Sequence, residues 1–85
     1  MNSVKANEKQ AVPLSQEKSA TKVCVHSIHG GQGLQAKLIS MGIVPGRYID
    51  ILHTSQTGPI VINVLNSKVM IGQGMAERIL VTSDH

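Results

Sequence analysis

Aromatic side chains are almost missing from this 85-residue sequence: Tyr48 stands alone, with no Phe and no Trp. That nearly excludes stacking of bases or sugars on an aromatic platform. It also requires a core of Ile, Val, Leu and Met. Cysteine is just as scarce. Cys24 is the single one, so no internal disulfide is available, and a reducing, cytoplasmic setting is expected rather than secretion. Long apolar runs are lacking too. None is long enough to span a membrane, and residues 1–22 hold nothing that reads as a signal peptide. Carboxylates are few, with Asp and Glu totalling 5 against 8 Lys and Arg. Glu8 and Glu17 lie in or near the N-terminal tail, so no pair of carboxylates suited to acid–base work is visible. Ser27 and Ser40 lack a glycine-flanked elbow, and Cys24 sits between two valines as a packed thiol would. The chain is expected not to be an enzyme.

The net charge of +3 suggests nucleic acid until it is located. Residues 1–22 carry Lys5, Lys9, Lys18 and Lys22 against two glutamates. Residues 23–85 carry Lys37, Arg47, Lys68 and Arg78 against Asp50, Glu77 and Asp84, which leaves that part close to neutral. No basic stripe results, and nucleic acid is not expected as a partner.

Residues 1–12 are polar and without period, the pattern of a disordered tail, and 13–85 read as one small domain. Alternation predicts a strand over Val23–Ile28, ended by Gly30-Gly31-Gln32-Gly33. Leu34, Leu38 and Met41 then recur at helical spacing. Gly42 stands where a helix needs its left-handed stop, and Pro45 follows. Further strands are expected over Tyr48–His53, from Ile60 through Ile62 and Val64, through Val69 and Ile71, and over Ile79–Thr82, with a hairpin turn at Asn66-Ser67 and one helical turn from Met75 to Arg78. Five short strands with one short helix in so few residues predict an all-β fold, a small, strongly bent five-stranded barrel or a sandwich. The expected core is Leu34, Leu38 and Met41 with Val25, Ile49, Ile51, Ile62, Ile71, Met75, Ile79 and Val81. Gly31-Gln32-Gly33-Leu34 is echoed by Gly72-Gln73-Gly74-Met75, one local solution used twice.

The residue types of a metal site occur together once, in Cys24-x-His26-x-x-His29. Zinc or ferrous iron accepts such ligands, but a closed structural site needs four. The expectation is therefore no bound cofactor, with a transition-metal ion at Cys24, His26 and His29 as the one alternative. The glycines before the helix match neither the P-loop nor the dinucleotide fingerprint and read as barrel corners.

Gly30-Gly31-x-Gly33, followed by Leu38-x-x-Met41-Gly42-Ile43-x-Pro45-Gly46, resembles the FeoA family, small cytosolic components of bacterial ferrous-iron uptake. The likeness continues through Ile49-x-Ile51, Gly58-Pro59-Ile60, Val69-x-Ile71-Gly72 and Met75-Ala76-x-x-Ile79-x-Val81, about residues 23–82 in all. Leu14-Ser15 fits the family's opening, whereas Ala20 stands near an expected glycine and Glu17 near an expected apolar residue. The resemblance implies an SH3-like barrel that binds or regulates FeoB, the membrane transporter with a cytosolic GTP-binding domain. It also admits a second function, a metal-sensing domain like the C-terminal module of metal-dependent repressors. With no DNA-binding segment ahead of the module, the transport reading is favoured. Lys37, Arg47 and Tyr48 are the expected contact residues, with Lys37 and Arg47 at the surface, and self-association stays open.

Overall fold

Alternating β-branched residues build a six-stranded antiparallel sheet around one aliphatic core. The structure is a computed structural model and describes residues 10–83. Its strands are β1 (Val12–Pro13), β2 (Thr21–Ile28), β3 (Tyr48–His53), β4 (Ile60–Val64), β5 (Ser67–Ile71) and β6 (Ile79–Ser83), in sheet order β1-β6-β2-β3-β4-β5. A 3-10 turn at Leu14–Gln16 precedes β2, while helices α1 (Gln32–Ser40) and α2 (Gln73–Ala76) follow β2 and β5. Register shifts between Val25 and Ser27 and between Ile51 and His53 mark bulges that sharpen the bend of the sheet.

The all-β, barrel-like expectation stands, with one more strand than the sequence suggested and the expected helical turn near Met75 realised as α2. Val12, placed in the tail by its polar surroundings, pairs with Val81. Pro13 is tolerated beside it because β1 is an edge strand and needs no inward N–H there. Residues 1–9 of the expected tail lie outside the described residues. The hairpin turn is Leu65-Asn66, one residue earlier than expected, because Val64 pairs with Ser67. The core gains Leu14, Val23, Ile43, Ile60, Val64 and Ala76, while Leu34, Met41 and Met75 pack on its rim, half-buried.

Ala20 takes φ +60 and donates its N–H to the Ile51 carbonyl at 2.7 Å. The position near which the family likeness calls for glycine is thus one where a Cβ is strained. Ala20→Gly is expected to stabilise the fold by about 0.5–1 kcal/mol, the strain relieved less the extra unfolded-state entropy of glycine. A lower urea midpoint for Ala20→Gly than for the parent would contradict this.

Candidate functional site

The segment from α1 to β3 is built on its helix stop. Gly42 (φ +91) donates to the Ile39 carbonyl and Ile43 to the Leu38 carbonyl, both at 2.9 Å, the paired bonds of a Schellman ending. Leu38 and Ile43 are both fully buried, supplying the apolar contact that accompanies this motif. Pro45 and Gly46 (φ +92) then turn the chain, and Arg47 donates its backbone N–H to Val44. Gly46 N–H reaches the Val25 carbonyl at 2.7 Å and Val25 N–H the Arg47 carbonyl at 2.9 Å, so the corner is stitched into β2 at its bulge. The Met-Gly-Ile-x-Pro-Gly run therefore fixes where α1 ends and where β3 begins.

Of the three expected contact residues, two are free. Lys37 is exposed in the last turn of α1, and Tyr48, paired with Cys24 across the sheet, is 54% exposed. Arg47 corrects the expectation of a solvated side chain. It is half-buried, and its Nη1 donates to the Gly42 carbonyl at 3.0 Å. A guanidinium there satisfies a carbonyl just past a helix end, which gives Arg47 a structural task.

Cys24, His26 and His29 are not gathered. Cys24 is half-buried, with Sγ 3.8 Å from the Val25 carbonyl oxygen. The exposed His26 pairs Nδ1 with Ser27 Oγ at 3.1 Å. His29 lies past the strand, its N–H on the Arg78 carbonyl at 2.8 Å. Among the described residues no group of three or more His, Cys, Asp or Glu side chains could hold a metal ion.

The echoed Gly-Gln-Gly segments open the two helices in the same way, with Gly31 and Gly72 as N-caps in extended conformation. Leu34 and Met75, equivalent positions in the echo, both line an open groove of about 720 Å³ with His29, Arg78 and Leu80. Gln73 also uses its Nε2 to bond the carbonyls of Ser55 (2.6 Å) and Gly58 (2.9 Å), which ties the Thr54–Pro59 turn to α2. These features hold the barrel's corners; none brings a nucleophile beside a base.

Sequence reasoning missed the exposed apolar side chains: Ile39, Leu52, Leu65 and Met70. Alternation does contain that signal. Ile60, Ile62 and Val64 face inward in β4 and Ile71 in β5, so Leu65 and Met70 fall in the outward phase.

The FeoA domain family model matches residues 12–83. A Methanocaldococcus jannaschii protein, provisionally assigned as Fe(2+) transport protein A, is 36% identical over 69 residues, covering 81% of this chain and 83% of that protein. The crystal structure of an iron uptake regulatory protein (FeoA) superposes with a TM-score of 0.83 at 39% identity, covering 88% of this chain and all (100%) of that one. A manganese-dependent transcriptional repressor matches in fold alone, with a TM-score of 0.81 at 20% identity over 91% of this chain and 44% of that one. With the helix stop, the Pro-Gly corner and the sheet all inside the matched span, the chain belongs to the FeoA family, and its fold is that family's SH3-like barrel.

Proposed function

We propose that this chain is an accessory protein of ferrous-iron uptake that docks on the cytosolic GTP-binding domain of a FeoB-type transporter and regulates it. The family match over residues 12–83 carries this reading. The surface is consistent with a contact role. Lys37 and Tyr48 are exposed at the two ends of a rigid corner, and tyrosine is among the residue types enriched at protein contacts. No helix among the described residues is long and apolar enough to cross a membrane. Metal sensing, the competing function, draws on a likeness of fold to repressors and has no assembled ligand set behind it among the described residues.

The test is Lys37→Ala combined with Tyr48→Thr, threonine being chosen to keep strand preference at the start of β3. Both side chains are exposed, so stability should stay within about 0.5–1 kcal/mol of the parent. Association with the transporter's cytosolic domain, followed by titration calorimetry, should weaken about tenfold, and ferrous-iron uptake by cells lacking the native protein should fall in step. Parent-like binding and uptake from the folded variant would move the contact off these residues. A parent chain that does not bind the domain at all would remove the docking reading.

A further inference from the structure

Leu65 fits badly where it stands. The two residues of the β4–β5 turn, Leu65 and Asn66, have φ +52 and +65. This is the left-handed pair that suits the twist of a hairpin and favours Asn, Asp or Gly at its first position. A leucine there is strained at its Cβ. Burial does not compensate, since the side chain is 65% exposed. Its Cδ1 lies 3.2 Å from the point where a Cβ on Gly42 would sit, so the leucine leans over the end of α1. Ile39, whose carbonyl accepts the Gly42 N–H, is 50% exposed at that same end.

An apolar side chain that is both strained and exposed contributes little to folding, and such local conflicts mark functional positions. The turn also holds the leucine on a backbone that is already fixed, which leaves less ordering entropy to lose on contact. The charge nearby is net positive: the exposed Lys37 and Lys68 and the half-buried Arg47 stand against Asp50, which lies opposite Asn63 in the strand row that ends on Lys68. The complement to such a surface is an apolar pocket with a carboxylate rim.

We propose that Leu65 is the apolar anchor with which this chain seats in an acid-rimmed apolar pocket on the cytosolic domain of its transporter. The inference rests on the docking reading above and adds to it the residue and the chemistry of the pocket. Lys68, exposed on β5 just beyond the turn, faces the rim, and Leu65 fills the pocket.

The experiment uses the full chain, its Leu65→Asn and Lys68→Glu variants, and the purified GTP-binding cytosolic domain of the transporter from the same organism. Asparagine suits the left-handed position, so Leu65→Asn should melt about 4 °C or more above the parent. It should bind the domain at least about tenfold more weakly, the loss expected when a leucine no longer leaves water. Lys68→Glu should weaken binding further at low salt than at high salt. A parent that binds and a Leu65→Asn variant that binds equally well would overturn the anchor and leave the docking reading standing. A parent that does not bind would overturn both. A Leu65→Asn variant less stable than the parent would show that the leucine serves the fold.

Discussion

Leu38→Ala is expected to destabilise the protein by about 3–5 kcal/mol, near the upper end of what a buried leucine costs. Leu38 is fully buried, and its carbonyl accepts the N–H of both Met41 (3.0 Å) and Ile43 (2.9 Å), so it anchors the end of α1 from inside the core. The size of the loss depends on whether neighbours can fill the hole. Here they are mostly Ile and Val, with no aromatic ring among them. β-branched side chains hold one χ1 rotamer and do not bend into a cavity. The flexible neighbours, Met41 and Met75, sit on the rim, away from the centre. A domain of this size has about 4–12 kcal/mol in total, so the loss removes at least about a quarter of its stability. Leu38→Met, which nearly conserves volume, should cost less than about 1.5 kcal/mol. Urea denaturation of the three proteins with a shared m-value decides the matter. A Leu38→Ala midpoint within experimental scatter of the parent would mean that α1 does not close the core.

The parts of this fold that were legible in the sequence are those with a repeating signal. Alternation in Ile60, Ile62 and Val64 and in Ile49 and Ile51 located β4, β3 and their inward faces. The stripe Leu34, Leu38, Met41 with Gly42 behind it located α1 and its stop. The elements that were missed are too short to show a period. Val12 and Pro13 form a strand only because Val81 and Leu80 lie opposite, which is a tertiary fact. The hairpin turn slipped by one residue because Asn66-Ser67 looks more turn-like than Leu65-Asn66. The observed register instead keeps Val64 buried and opposite Ser67. The helical turn expected at Met75–Arg78 begins at Gln73, two residues earlier, just after the Gly72 N-cap. At the candidate site, exposure of Lys37 and Tyr48 followed from position, but the inward course of Arg47 did not. Its partner is the Gly42 carbonyl, and backbone acceptors leave no mark in a sequence. The spacing of Cys24, His26 and His29 could not show whether they meet, for a related reason: ligand types within six residues share a site only where the strand stays regular. Here β2 bulges between Val25 and Ser27, and His29 leaves the strand for the groove beside α2.

Gly42 allows the backbone and packing contributions of a glycine to be measured separately. Its φ is +91, and an added Cβ would lie 3.0 Å from Val64 Cγ1 and 3.2 Å from Leu65 Cδ1. Gly46 has φ +92 and nothing within 4 Å of the same point. Both glycines therefore meet similar backbone strain when changed to alanine, about 1–2 kcal/mol, and Gly42 alone meets a neighbour. Leu65 is exposed and can swing aside. Val64 is buried at 1% exposure and held in β4 opposite Ser67, so it gives way only by disturbing the core. Gly42→Ala should then cost about 1–2 kcal/mol more than Gly46→Ala, in the range seen when a packed core is overfilled, for a total of about 2–4 kcal/mol. The extra loss has a second route. A displaced Gly42 carbonyl leaves Arg47 Nη1 without its acceptor at the end of α1. Pairing Gly42→Ala with Val64→Ala should recover part of the difference if steric conflict is its source, whereas Arg47→Ala on the same background should change little because that bond is already broken. Equal losses at the two glycines would show that β4 yields to the added methyl, and that the Met41-Gly42-Ile43 stop is set by backbone conformation alone.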